Sequence, residues 1–175
     1  NPDTLRSAGR DGKSDEQLRR QAQALDKLGQ KLRFLGLKLA YHNHEVELRH
    51  AAREFHHMLI GTDPRNVTFC LDAHWVYRGA GDSQVALFDV VRLYGSRIVE
   101  LHVRQSRAGV WSETLGEGDV DYPRLVETLA ALNLAPQIVI EQAVENGTPY
   151  TMDVVAAHRL TVDYARRVLA PLAGA

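Results

Sequence analysis

The sequence is short of cysteine, of long apolar runs and of excess charge, and each shortage narrows the possible functions. Cys70 is the one cysteine among 175 residues, which excludes an internal disulfide and fits a reducing compartment. No apolar run approaches the ~18–20 residues that a membrane span needs. The 21 basic and 22 acidic residues leave a net charge of −1, which favours neither nucleic acid nor an anionic membrane as a partner. We therefore expect a cytoplasmic protein.

What the chain contains is an alternation of short apolar runs and helical patterns. Strands are predicted at 37–44, 67–72, 97–104 and 137–141. Helices are predicted at 14–36, 54–61, 83–94, 122–132 and 153–169. Capping patterns support two of the helix starts, Ser14 with Gln17 and Asp121 with Pro123. The alternation predicts an α/β fold with a parallel sheet, as one domain over residues 1–175.

Each predicted strand ends in an ionisable side chain on the same face of the sheet. Side chains alternate between the faces of a strand, and here one face is large and apolar while the other is mixed. The mixed face ends in His42, Asp72, His102 and Glu141. A sheet covered on both sides would be apolar on both faces, whereas a barrel accepts polar groups at its mouth, where ligands collect. We therefore expect these four groups to converge on one pocket.

Two imidazoles and two carboxylates form a mixed nitrogen and oxygen ligand set. Such a set suits a divalent metal such as Mn²⁺, Zn²⁺, Co²⁺, Mg²⁺ or Fe²⁺. Carboxylates at a barrel mouth are costly to bury without a partner, and a cation removes that cost. Each residue alone has a structural alternative. His42 would be a core histidine and Asp72 a loop cap. His102 would form an ion pair with Glu100 or Glu141, and Glu141 would form one with Arg104. The convergence of all four favours metal binding.

Three more ionisable residues follow His42 in the sequence. His44 points the same way as His42 but lies nearer to solvent, so we expect it to contact substrate rather than metal. Glu45 and Glu47 lie on the next loop. Either is a candidate ligand or base, and the alternative for both is a solvated loop charge.

Several segments resemble the sugar phosphate isomerase/epimerase proteins of the xylose isomerase-like TIM barrel superfamily. They are LAYHNHEVEL, FCLDAHWVYRGAGDS, ELHVRQS, GEGDVDYPRL and IVIEQAVENGTP, and they run over nearly the whole chain. Proteins of that superfamily hold a divalent metal at the ends of the last four barrel strands, typically through Glu, Asp, His and Glu. The resemblance implies Asp72, His102 and Glu141 as ligands. His42 stands where the superfamily has its first Glu, and Glu45 and Glu47 are the alternatives for that first ligand.

The resemblance also implies a function. It is a metal-dependent isomerase or epimerase that acts on a small sugar through an enediolate, with Glu141 as base and His44 or Glu47 as its partner. Substrate contacts are implied for His74, Trp75, Arg104 and Glu45. The alternatives are a keto-sugar or inosose dehydratase with the same metal site, and a non-catalytic half barrel. Cleavage of abasic DNA fits poorly, because the chain has neither a basic groove nor an evident set of extra ligands.

The resemblance covers half a barrel. A complete barrel needs eight βα units and about 250 residues, and this chain matches the last four units, strands five to eight. Half a barrel has two open sheet edges, so we expect it to pair with another copy or with a separate N-terminal half, or to be part of a longer protein. The loop 105–118, with Trp111, is expected to be either a lid or a plain surface loop, and Glu117 either part of a capping turn or a substrate contact.

Overall fold

Four parallel strands position the strand-end residues. In the computed structural model, which describes residues 12–142 and 144–172, they are β1 (Leu39–His42), β2 (Val67–Asp72), β3 (Ile98–Val103) and β6 (Gln137–Ile140). Their order in the sheet is β1-β2-β3-β6, and every neighbouring pair is parallel. A small hairpin of β4 (Ser106–Arg107) and β5 (Val110–Trp111) follows β3. The predicted α/β fold with a parallel sheet is confirmed.

Helices connect the strands. They are α1 (Asp15–Phe34), α2 (Arg49–Ile60), α3 (Ala73–Gly79), α4 (Gln84–Tyr94), α5 (Tyr122–Ala131) and α6 (Val154–Val168). Short 3₁₀ helices span Glu45–Leu48, Gly95–Arg97 and Ala170–Leu172. Within the described residues, no helix combines the length and apolar character that a membrane crossing requires.

The helix starts follow the capping signals in the sequence. The Ser14 hydroxyl accepts a hydrogen bond from the backbone N–H of Gln17, and the Gln17 side chain accepts one from the N–H of Ser14. Asp121 caps α5 and Asp153 caps α6 in the same way, through their carboxylates. These contacts satisfy N–H groups that have no partner in the first helical turn, at about 1 kcal/mol per cap.

Helix α2 agrees with the prediction once its first turn is set aside. Residues 50–52 have φ angles of 53–57°, in the left-handed region, so the right-handed helix begins after them, close to the predicted start at 54. Helix α3 was not predicted at all. It begins immediately after β2, with Asp72 as its N-cap. The sequence signals were the capping aspartate and Gly79, at which the helix ends.

The sheet has one face packed into the core and one face left half open. Phe69, Leu71, Leu101 and Val103 point to the packed face and are fully buried. They pack with apolar side chains of the helices, among them Phe55, Met58, Leu59, Leu125 and Leu129. Each such side chain contributes about 1.5–3 kcal/mol by leaving water. The opposite face holds the ionisable side chains, in agreement with the predicted alternation.

Candidate functional site

The register of the strands brings the predicted strand-end residues together. His42 pairs with Cys70, and Asp72 pairs with His102. Glu141 directly follows β6, and its backbone N–H donates to the carbonyl oxygen of Val103 over 3.1 Å. One potential ligand atom from each of His42, Asp72, His102 and Glu141 lies within 4.8 Å of the other three. We call this group the four-residue cluster.

The distances inside the four-residue cluster suit a single ion. His42 Nε2 lies 3.6 Å from Asp72 Oδ2 and 3.9 Å from Glu141 Oε2. His102 Nδ1 lies 2.8 Å from the same oxygen of Glu141. Atoms that bind one metal at about 2.0–2.2 Å stand roughly 3–4 Å apart. The four ligand atoms therefore need only small movements to share a cation.

Two atoms of the four-residue cluster are buried without a partner. Asp72 is fully buried, and its Oδ1 accepts a 2.8 Å hydrogen bond from the N–H of Trp75. Asp72 Oδ2 and His42 Nε2, however, have no hydrogen-bond partner among the described residues. Burial raises the pKa of the Asp72 carboxyl, because water is excluded from its charge. A divalent cation would satisfy both atoms at once, so the residues present fit a metal.

His102 lies between two carboxylates. Its Nδ1 faces Glu141 and its Nε2 lies 2.9 Å from Glu100 Oε1. Burial lowers the pKa of an imidazole, but these two hydrogen bonds raise the pKa of His102 above its ordinary value. For a carboxyl group, burial has the opposite effect and would raise the pKa. The pKa of Glu141 is nevertheless below its ordinary value, because the hydrogen bond from His102 stabilises the carboxylate. Glu141 is therefore ionised at neutral pH.

His44, Glu45 and Glu47, the three candidates that follow His42 in the sequence, occupy different surroundings in the structure. The ring of His44 is exposed and lies 4.6 Å from that of His42, beside the four-residue cluster. Glu47 accepts a 2.8 Å hydrogen bond from the backbone N–H of His44, and Glu45 pairs with Arg49 at 2.7 Å. Neither glutamate belongs to the four-residue cluster. Local capping and pairing draw their carboxylates away, so His42 is the residue of this segment that the structure brings to Asp72, His102 and Glu141.

Asn43 was not predicted as a site residue. It is fully buried, and its amide donates to the carbonyl oxygen of Asp72 at 3.2 Å while accepting from the N–H of Asp72 at 3.1 Å. This pair of bonds ties the end of β1 to the end of β2, and so sets the spacing of His42 and Asp72. The sequence gives little indication of this role for Asn43, because its hydrogen-bond partner Asp72 is remote in the chain.

Trp75, Trp111 and Arg104 form an aromatic and cationic wall beside the four-residue cluster. The Trp75 ring lies 6.0 Å from that of His44. The Arg104 guanidinium carbon lies 3.8 Å from the Trp111 ring centre and 5.2 Å from that of Trp75. Arg104 also donates to Glu145 over 2.9 Å. Trp75 and Arg104, for which substrate contacts are predicted, both belong to this wall, and those contacts stay predictions.

His74 is located behind this wall. It is fully buried, its Nε2 lies 2.9 Å from the Ser106 hydroxyl, and its ring lies 4.2 Å from that of Trp111. Burial lowers its pKa to about 3, with the charges of nearby arginines adding to the effect, so the ring is neutral. The structure therefore gives His74 contacts that support Trp111 and no opening towards a substrate.

The loop 105–118 is anchored at several points. Asp119 accepts hydrogen bonds from the backbone N–H groups of Ala108 and Gly109 in the hairpin turn, at 2.8 and 2.9 Å. Farther along, the Glu113 carboxylate accepts two 2.7 Å bonds from Thr151, which lies before α6. Glu117 is exposed, and its carbonyl oxygen accepts from Arg107. These contacts fix Trp111 as part of the wall.

Comparison with known proteins gives a family and a fold. Residues 3–163 match the family described as xylose isomerase-like TIM barrel. No curated protein matches the chain. Two sugar phosphate isomerase/epimerases from Parabacteroides distasonis superpose with TM-scores of 0.69 and 0.66 at 18% and 20% identity. L-ribulose 3-epimerase superposes with a TM-score of 0.63 at 18% identity.

These solved structures are much longer than the chain. The superpositions cover 91%, 85% and 96% of this chain but only 55%, 53% and 57% of the respective neighbours. The chain therefore spans little more than half the length of the structures it resembles. At such low identities the likeness establishes the shared fold.

Proposed function

Because this chain belongs to the xylose isomerase-like TIM barrel family, we propose that it forms the metal-binding half of an isomerase or epimerase for a small sugar or sugar derivative. The family and the half-barrel fold agree with the resemblance found in the sequence motifs. One observation carries the proposal: His42, Asp72, His102 and Glu141 come within 4.8 Å of one another at the carboxyl ends of four parallel strands. The names of the structural neighbours support a sugar as substrate.

The metal would be held by His42 Nε2, Asp72 Oδ2, His102 Nδ1 and one oxygen of Glu141. These nitrogen and oxygen donors suit Mn²⁺, Zn²⁺, Co²⁺, Mg²⁺ or Fe²⁺. A bound divalent cation would supply Lewis acidity towards neighbouring carbonyl and hydroxyl oxygens of the sugar. In the same position it would balance the buried charge of Asp72.

The proton transfers fall to Glu141 and His44. Isomerisation and epimerisation both remove a proton from the carbon next to a carbonyl group and pass through an enediolate. Isomerisation then adds a proton to the former carbonyl carbon, whereas epimerisation returns a proton to the same carbon from the opposite face. Glu141 is ionised and half exposed, so it can accept that proton. His44 is exposed, with its ring 4.6 Å from that of His42, and is the candidate partner that returns a proton. Glu47 acts on this step through the backbone of His44, whose position it fixes.

The wall beside the four-residue cluster would orient the sugar. The exposed part of Trp75 offers an apolar ring face, on which a sugar ring can stack. The Arg104 guanidinium is held by Trp111 and Glu145, and it would donate to a hydroxyl or carbonyl oxygen of the substrate. Its charge is already paired with Glu145, which favours hydrogen bonding to a neutral sugar.

Turnover in D₂O tests the proposal. Ketopentoses and ketohexoses are incubated with the chain and each divalent metal, and deuterium in the product is measured by NMR. We expect deuterium at the carbon next to the carbonyl, and a 10²–10⁴-fold loss of rate in Glu141→Gln. Glu127→Gln, an exposed glutamate on α5, is the matched control. Turnover without deuterium incorporation would indicate a hydride shift rather than proton transfer. A dehydrated product would indicate a lyase rather than an isomerase.

We also propose that four further βα units complete the barrel. Among the described residues, β1 and β6 each pair with one strand only, so both outer edges of the sheet are open. Large apolar side chains in the segments that flank these two strands in the sequence are exposed, with Phe34 before β1 at 95% and Tyr150 after β6 at 76%. Open edges and exposed apolar groups both favour association. These units come from a second copy, from a separate N-terminal half, or from another part of a longer protein to which this chain belongs.

Sedimentation analysis tests this completion. A dimer in dilute solution supports pairing of two copies, and a complex formed only on coexpression with a four-unit N-terminal half supports the second source. A stable, well-folded monomer that binds no such half would overturn the proposal.

A further inference from the structure

Glu100 lies next to the proposed metal site without belonging to it. It stands on the inner face of β3, two residues before His102, and it is absent from the four-residue cluster. Its Oε1 lies 2.9 Å from His102 Nε2 and accepts a hydrogen bond from Cys70 Sγ over 3.2 Å. One carboxylate oxygen thus joins a strand-end histidine to the neighbouring strand β2.

The two nitrogens of His102 face different groups. Nδ1 lies 2.8 Å from Glu141 Oε2, the oxygen that is also 3.9 Å from His42 Nε2, so Nδ1 is the nitrogen on the side of the four-residue cluster. Nε2 points to Glu100. A metal-binding imidazole offers a lone pair on one nitrogen and keeps its proton on the other. In this geometry the proton belongs on Nε2, where Glu100 can accept it.

We infer that Glu100 is a positioning residue, which holds His102 in the Nε2–H tautomer and fixes its ring for metal binding. The inference rests on the proposed metal site and adds a residue to it. Cys70 contributes by donating to the same oxygen, so the thiol on β2 orients the carboxylate that orients the histidine. The alternative is a plain ion pair that affects folding alone.

Cobalt binding separates these roles. The 175-residue chain is titrated with Co²⁺ against a competing chelator, and binding is followed by the visible absorption of the bound ion. Outer partners of metal-binding histidines typically contribute 10–100-fold in affinity. We expect a 10–100-fold weaker affinity for Glu100→Ala and a smaller loss for Glu100→Gln, whose amide oxygen still accepts a hydrogen bond without the charge. Glu127→Gln should bind as the wild type does.

The tautomer is a second readout, which a purely structural role would not move. In the Zn²⁺-loaded chain labelled with ¹⁵N-histidine, we expect a protonated Nε2 on His102, and a mixture of tautomers or a shifted Nε2 signal in Glu100→Ala. Thermal unfolding in EDTA checks that Glu100→Gln leaves the metal-free fold intact.

The outcomes distinguish the two proposals. Equal Co²⁺ affinities of wild type and both Glu100 variants would overturn the role of Glu100 and leave the metal site standing. Metal bound through Nε2 of His102 would do the same. Failure of the wild-type chain to bind Co²⁺ would overturn the metal site itself, and this inference with it.

Discussion

The two ends of the sheet bury polar side chains in opposite ways. At the amino end, the buried guanidinium of Arg97 donates to the carbonyl oxygens of Leu59, Thr62 and Val67 and to the Thr62 hydroxyl. It joins the end of α2, the loop after it and the start of β2. At the carboxyl end, His42 Nε2 and Asp72 Oδ2 are buried with no partner among the described residues. The chain itself supplies every partner of these Arg97 hydrogen bonds, and its described part supplies none for His42 Nε2 and Asp72 Oδ2.

This difference separates structural from functional burial. Buried polar atoms usually find partners, since leaving one unpaired costs about 1–3 kcal/mol. Other buried atoms without a partner among the described residues include His74 Nδ1, Arg104 Nε and Gln142 Oε1, whose residues follow the carboxyl ends of β2, β3 and β6. That end retains bonding capacity at a cost in stability, as binding sites commonly do. We expect the hydrogen bonds of Arg97 at the amino end to offset that cost.

Removing the charge at the amino end should have the largest effect. Arg97→Met leaves the carbonyl oxygens of Leu59, Thr62 and Val67 buried without their donor, and we expect the free energy of unfolding to fall by about 3–5 kcal/mol. Urea unfolding in EDTA measures the change. Arg97→Lys, which keeps the charge with fewer donors, should lie between. A loss below ~1 kcal/mol would show that the carbonyl groups find water instead, and would remove the contrast between the ends.

The matching change at the carboxyl end should reverse this pattern. Asp72→Asn keeps the cap on α3, because an amide oxygen still accepts from Trp75, and it removes a buried charge. We expect the metal-free melting temperature to stay or rise. Affinity for Co²⁺ should fall by at least about 100-fold, or roughly 2.7 kcal/mol. Calorimetric titration and thermal unfolding measure the two effects. A destabilised metal-free chain with unchanged affinity would make Asp72 a structural residue.

The four-residue cluster was predictable because it depends on short-range rules. A two-residue alternation along each strand and the parallel order of strands are enough to bring His42, Asp72, His102 and Glu141 to one edge. Helix caps such as Ser14 and Asp121 are equally local. The assignment of these four residues to a metal stays a prediction, which the geometry supports.

The remaining features depend on contacts that no local pattern contains. The role of Arg97 requires carbonyl groups 30 or more positions away in the chain. Asn43 and Glu100 gain their significance only after β1, β2 and β3 are aligned. A substrate contact is predicted for His74, whose position on α3 places its ring against Ser106 and Trp111. Glu47 was a candidate base, and its local hydrogen bond to His44 draws it elsewhere.

The smallest effect should be a pH dependence that arises near the amino end. His56 on α2 lies against the ring of Phe55, and its Nδ1 is 2.6 Å from the Tyr94 hydroxyl. Burial lowers the pKa of His56 below the ordinary value of 6.5, because its charged form is less well solvated. The unfolded chain therefore binds more protons. This contribution to stability is complete above pH ~6.5 and declines as the pH falls below it towards the lower pKa of the folded state.

Histidine titration by NMR and unfolding between pH 5 and 8 measure this contribution. We expect a midpoint below 6.5 for His56, and a shallower fall in stability below pH 6.5 for His56→Gln than for the wild type. Both the wild type and His56→Gln are measured without metal. Protonation of the residues in the four-residue cluster then affects the stability of both proteins equally. A midpoint above 6.5 would mean that the folded state favours the protonated ring of His56. Burial would then not control the pKa of His56, and the expected sign of the pH dependence would be wrong.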